Sequence, residues 1–315
     1  MPHHTNELGQ PIGQALPDWQ PSTVPPRAPI PGRLVSLEPI DLDLHCADLF
    51  DAFALDTDGH NWTYLPHGPF ADIDAFGTWM AATCFGDDPL FHAIIDTSSG
   101  RAVGFASYQR IEPSVGNIEV GYINFSPALQ RTPLATEAMF LMMRRAFDEL
   151  GYRRYEWKCD ALNAASRAAA QRLGFTYEGT FRQAIIYKGR SRDTAWFSIT
   201  DLEWQARKIE FERWLDPANF DIDGTQRTRL RQNTPPPSSG GRCAAQRPWS
   251  LTCCFSGSVI LSNASRPCGL RNSGARVSSG KISCFTNSRI HASFASNSGS
   301  VSKSHAMVGS CSSIG

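Results

Sequence analysis

The sequence predicts a mixed α/β fold built on a central, largely antiparallel sheet flanked by helices. Two observations carry that prediction. The stretch Gly116–Glu137, GNIEVGYINFSPALQRTPLATE, reads as a strand, a polar turn and the first turn of a helix. Around it, apolar segments alternate between period 2 and period 3.6, the periods of strands and helices.

In chain order, residues 1–32 hold Pro2, Pro11, Pro17, Pro21, Pro25, Pro26, Pro29 and Pro31 among small and polar residues. That composition fits an extended arm, laid on the surface or mobile. Leu34–Ile40 alternates as a first strand, and Asp41–Leu55 is amphipathic, with Asp41 as its N-cap. Asp56–Phe70, DTDGHNWTYLPHGPF, mixes polar, aromatic and Pro/Gly residues. It reads as a loop shaping a substrate mouth through Trp62, Tyr64 and His67, or as a connection pinned by its aromatics. A helix follows over Asp72–Phe85, then strands Phe91–Asp96 and Ala102–Arg110 joined by Thr97-Ser98-Ser99-Gly100.

The strand Gly116–Phe125 carries Ile118, Val120, Tyr122 and Phe125 and stops at Ser126-Pro127. From Leu134 an apolar run continues to Leu150, with Glu137 early, Arg144 and Arg145 late and Gly151 as its stop. A turn with free N–H groups at a helix N-terminus is a place for an anion. Arg154–Cys159 is a further strand and Asn163–Leu173 a helix ended by Gly174. Phe175–Arg182 and Thr194–Trp204 pair across a turn containing Lys188-Gly189-Arg190, and residues 205–223 continue as a short helix or strap.

All 30 Asp and Glu residues lie at or before Asp223, so the neutral chain is acidic in its first part and basic in its last. An acidic folded part suits a cationic or amine substrate and argues against nucleic acid. No run of 18 apolar residues exists, and MPHHTNELGQPIG lacks the basic and apolar regions of a signal peptide, so neither membrane nor secretion is indicated. Cys46, Cys84 and Cys159 have neither zinc nor disulfide spacing, so no metal is expected and a reduced cytoplasm is the expected compartment. Residues 224–315 show no periodicity and resemble translated non-native sequence or a disordered tail; a basic, RNA-associated tail is the alternative.

Two motifs together resemble the GNAT N-acetyltransferase superfamily, in particular its RimJ/RimL-like branch. The first is Gln130-Arg131-Thr132-Pro133-Leu134-Ala135 followed by Thr136-Glu137-Ala138, where the family has Q-x-x-G-x-G/A and often T-E-A. The second is Asn163 and Ser166 ahead of Leu173-Gly174-Phe175, in place of N-x-x-S…L-G-F. The resemblance covers residues 33–204. It implies acetyl-CoA as cosubstrate, with its pantetheine arm in an opening between Gly121–Phe125 and Tyr155–Cys159, and direct transfer to a primary amine such as a protein N-terminus.

The resemblance assigns Glu119 as general base and Ser166 as the nearest general acid, because the family's usual Tyr is replaced here by Ala170. Glu119 is otherwise an exposed strand residue or a salt-bridge partner, and Ser166 a helix cap. Asn163 would bond the pantetheine amide or cap its helix. The N–H groups of Asn124 and Phe125 would polarise the thioester carbonyl. Gln130 belongs to the turn, and the N–H groups of Arg131, Thr132, Leu134, Ala135 and Thr136 would hold the phosphates, with Pro133 contributing none. A non-catalytic acyl-CoA-binding protein is the competing class, and both monomer and homodimer fit this reading.

Overall fold

The computed structural model describes residues 4–230, and most of the tail that the sequence sets apart from residue 224 lies outside the described residues. β1 (His4–Thr5) and β2 (Pro11–Ile12) form a small separate hairpin. The main sheet has eight strands: β3 (Ile30–Pro31), β4 (Val35–Pro39), β5 (Leu90–Asp96), β6 (Ala102–Glu112), β7 (Asn117–Phe125), β8 (Arg154–Asp160), β9 (Thr176–Tyr187) and β10 (Arg190–Thr200). Their spatial order is β3-β4-β5-β6-β7-β8-β10-β9. Only β7 and β8 are parallel. That one parallel pair requires a crossover, which α3 (Pro133–Arg144) supplies.

Helices cover both faces of the sheet. On one face, α1 (Leu42–Ala54) and α2 (Ile73–Thr83) bury Leu49, Phe53, Phe76 and Met80 against Phe91 and Phe105. Each begins at an aspartate, Asp41 and Asp72, whose carboxylate accepts the N3 N–H. On the other face α3, α4 (Ala164–Arg172) and α5 (Asp201–Leu215) enclose the larger core. Every residue of α3 from Thr136 to Met143 is buried, which is why this helix reads as apolar nearly all round.

The described part of the N-terminal arm is laid along the surface. Trp19 donates to the Ser114 carbonyl at 3.0 Å, and Arg145, on the π-helical turn that ends α3, donates to the carbonyls of Ala28 and Pro29 at 2.8 Å. At the other end, the strand expected to run to Trp204 stops at Thr200. There a capping box between Thr200 and Glu203 starts α5. α5 is part of the core: Phe211 lies 5.4 Å from Phe140 and Trp204 5.0 Å from Phe147, ring centre to ring centre.

Candidate active site

The parallel ladder of β7 and β8 runs from Asn117–Arg154 to Val120–Trp157 and stops there. On its other side, β7 pairs with β6 at Ser107–Gly121 and then at Phe105–Asn124, so β7 carries one extra residue. Tyr122 absorbs that bulge with φ 48°. The bulge bends β7 away from β8 and opens a cleft of about 980 Å³ at the head of α3. The opening begins at Gly121 and Lys158; of the range expected to face the pantetheine arm, Tyr155 and Glu156 are paired with β7, whereas Trp157 pairs with Val120 and also lines the cleft with Lys158 and Cys159.

Glu119 sits just before the opening, on the cleft wall and 3% exposed. Its Oε1 accepts from Gln109 at 2.8 Å and its Oε2 from Lys158 at 2.7 Å. Gly121 makes the first of these possible, since any Cβ there would collide with the Gln109 amide. Lys158 also meets Glu156 at 2.7 Å, so two buried carboxylates share one ammonium. Burial raises the pKa of Glu119, against the pull of Lys158 and Gln109. Glu156 moves the other way: burial opposes ionisation there too, but Lys158 and Arg154 together outweigh it. Of the two carboxylates on Lys158, only Glu119 has its pKa raised.

At the turn, Arg131 adopts φ 60° and Thr132 caps α3. Thr132 Oγ1 accepts from Ala135 N at 3.3 Å, so one of the five N–H groups assigned to phosphate is already occupied. Pro133, at the first helical position, has none to give. Arg131, Thr132 and Leu134 therefore supply the donors nearest the helix end. Gln130 lines the cleft but also ties it together: its Nε2 donates to the Phe125 carbonyl at 2.8 Å and to Asn61 Oδ1 at 2.7 Å. Arg172, absent from the sequence-based assignment, donates to Thr136 Oγ1 at 3.1 Å and adds a cation beside the first turn of α3.

Asn124 and Phe125 lie where β7 has lost its β8 partner. Asn124 Nδ2 is a buried donor without a hydrogen-bond partner, the sort of group an amide-bearing ligand would satisfy. Asn163 caps α4 through Oδ1 to Ser166 N at 3.0 Å, and Ser166 Oγ accepts from Trp157 Nε1 at 3.0 Å. Both line the cleft. Ala170, at the position of the family's usual Tyr, is fully buried.

The loop assigned to the substrate mouth divides. Tyr64 lines the cleft and donates to the Leu162 carbonyl at 3.2 Å. Trp62 and His67 do not reach the cleft and belong to the aromatic core. Trp62 packs edge-on against Phe53 at 5.2 Å, and His67 stacks on Trp79 at 4.2 Å. His60, Asn61, Leu65 and Pro66 join Tyr64 on the wall instead. Burial claims large rings first, and Trp62 and His67 pack among the aromatics of this core.

This splayed mixed sheet, with a helix N-terminus at its opening, defines the class as an acetyltransferase-type α/β fold. A family model described as an acetyltransferase (GNAT) domain matches residues 35–176. A GCN5-related N-acetyltransferase structure from Brucella melitensis is 46% identical, with a TM-score of 0.67, covering 68% of this chain and 97% of that one. A GNAT-family acetyltransferase structure from Chromobacterium violaceum is 49% identical, with a TM-score of 0.59, covering 62% and 98%. YdaF of Bacillus subtilis, which carries the name of a ribosomal N-acetyltransferase, is 27% identical over 109 residues; the match spans 35% of this chain and 59% of YdaF. The chain belongs to the GCN5-related N-acetyltransferase (GNAT) family. Among the described residues no helix is long and apolar enough to cross a membrane, and no cluster of His, Cys, Asp or Glu could hold a metal.

Proposed function

We propose that this protein is an acetyl-CoA-dependent N-acetyltransferase that acetylates a primary amine, a protein N-terminus or a small molecule, by direct attack. The observation that carries the reading is the end of the β7–β8 ladder at Val120–Trp157, immediately beyond a buried carboxylate and at the head of α3. The unpartnered Asn124 Nδ2 and the donors of Arg131, Thr132 and Leu134 fit the amide and phosphate groups of coenzyme A.

Acetyl-CoA would supply the electrophile, an acetyl thioester. Glu119 would remove the proton from the acceptor ammonium, directly or through water, its raised pKa bringing it toward the working pH of a general base. Gln109 and Lys158 hold the carboxylate in place. The backbone N–H groups at Asn124 and Phe125 would face the carbonyl oxygen. Ser166, its hydroxyl oxygen engaged by Trp157, would be the nearest side chain for returning a proton to the leaving thiolate.

Calorimetric titration with acetyl-CoA, followed by a thiol-release assay over a panel of amines, tests the proposal. Binding with amine-dependent thiol release supports it. Binding without release for any amine would instead mark an acyl-CoA-binding protein.

A further inference from the structure

The acceptor end of the cleft has a charge pattern that the overall acidity of the folded part conceals. β10 sets Thr194 opposite Asp160 and Trp196 opposite Lys158, so Arg192, Thr194 and Trp196 share one sheet face with Lys158 and Asp160. Glu119, bonded to Lys158, is on that face too. Lys158 is fully engaged by its two carboxylates. Asp160 is engaged by the Tyr187 hydroxyl and the Leu162 N–H, both at 2.8 Å.

Arg192 differs from both. It lines the cleft, its Nε is buried without a hydrogen-bond partner, and among the described residues no carboxylate lies within ion-pair distance of it. Its guanidinium carbon lies 5.8 Å from the centre of the Tyr187 ring. A donor removed from water with no acceptor costs its desolvation penalty, so an acceptor arriving with a ligand has an unusually large effect. The phosphates are accounted for elsewhere, at the start of α3. Around Arg192 the β9–β10 hairpin meets the 56–70 loop: Lys188 donates to the Trp62 carbonyl at 2.7 Å. Beside Glu119, Arg110 places a second, half-exposed guanidinium 3.5 Å from the carboxylate and 5.7 Å from the Trp196 ring centre.

We infer that Arg192 binds a carboxylate of the acceptor, so that the preferred substrates are primary amines bearing a nearby carboxylate. A planar guanidinium matches a carboxylate through two parallel N–H···O bonds, and its charge repels polyamines. The carboxylate could be the α-carboxylate of a free amino acid or the side chain of an acidic peptide N-terminus. The inference rests on the N-acetyltransferase reading.

Matched acceptor pairs at saturating acetyl-CoA test it: glycine against glycinamide, and amidated peptides beginning with Asp against those beginning with Asn. 1,4-Diaminobutane serves as the cation, and rates are compared per concentration of neutral amine. The acid member of one pair should have a kcat/KM about tenfold or more above its amide, and which pair discriminates identifies the source. Arg192→Gln should raise KM for the acid about tenfold while changing kcat and the amide's KM little; Arg192→Lys should retain part of the preference.

Amides and diaminobutane acetylated as well as the acids by the wild-type protein would overturn the inference while leaving the acetyltransferase reading intact. Equal losses on acid and amide in Arg192→Gln would also overturn it. A wild-type protein that binds no acetyl-CoA would remove both readings together.

Discussion

Lys158 Nζ lies 2.7 Å from Glu119 Oε2, and both side chains are more than nine-tenths buried. The pair joins β8 to β7 where the two strands part, and its ammonium favours the charged form of the candidate base against the effect of burial. Its ammonium lies 3.7 Å from the centre of the Trp196 ring, which leaves it little freedom to move.

Replacing the base separates chemistry from binding. Glu119→Gln keeps the shape and removes the ability to take a proton, so turnover should fall by roughly a hundredfold or more near neutral pH. Acetyl-CoA affinity, measured by calorimetry, should hardly move. The loss should shrink at high pH, where more of the amine is already neutral; unchanged turnover would remove Glu119 from the mechanism.

Removing the ammonium should shift the pH profile. Lys158 stabilises the ionised form of Glu119, so Lys158→Met raises the carboxyl pKa further above its ordinary value. The acid limb of kcat/KM should move to higher pH, whereas Lys158→Arg should restore it in part. Lys158→Met leaves Glu156 to Arg154 and Glu119 to the half-exposed Arg110, so the fold should also lose stability, by less than the roughly 3–5 kcal/mol of a fully orphaned buried charge, read from denaturant unfolding.

Stability should fall on mild acidification. His92 is fully buried, and burial, with Arg145 adding to it, lowers its pKa from 6.5 to about 4; burial and Lys188 do the same to His67. Both pKa values are depressed in the fold, so the unfolded chain binds these protons first, and stability present above pH 6.5 is lost as pH falls toward 4. Each histidine accounts for about 3 kcal/mol across that window. His92→Leu should flatten the stability profile there by about that amount, and an unchanged slope would contradict the assignment.

The C-terminal boundary of the fold has a sharp test. A chain ending at residue 204 would lack Phe211 and Trp214, which are buried in the main core, and should not unfold cooperatively. A chain ending at residue 230 keeps α5 and the hydrogen bonds of Asn219 and Arg213 to Thr228, and should unfold cooperatively by calorimetry. Thr194–Trp204 reads in the sequence as one strand, so a limit at 204 falls in the first turn of α5, and the rest of that helix lies in the segment 205–223 expected as a short helix or strap.

Acetyl-CoA should raise the melting temperature with the logarithm of its concentration and slow hydrogen exchange in the turn before α3. The largest effects belong at Arg131, Thr132 and Leu134. The Ala135 N–H, already bonded to Thr132, should change least. Protection confined to other parts of the chain would refute the phosphate assignment.

The sequence by itself determined the order of strands and helices from β4 to β10, the cap at Asp41, the stop at Gly151 and the two motifs that flank the cleft; the short strands β1, β2 and β3 lie in the arm it read only as extended. These are local properties: hydrophobic period and cap chemistry act within a few residues, and their signals survive in one dimension. Glu119 was visible as a carboxylate on the right strand, but only as one of several readings. The tertiary structure decided what Glu119 touches, because Lys158 becomes its partner only when β7 and β8 pair in parallel at Glu119–Glu156. It also decided that Trp62 and His67 turn inward while Tyr64 and Asn61 face the cleft, a partition set by competition for buried area among the aromatics of α1, α2 and β5. Arg192 gave no local signal at all. An arginine in a strand is common; an arginine whose buried Nε lacks an acceptor exists only once the hairpin has closed on the mouth of the cleft.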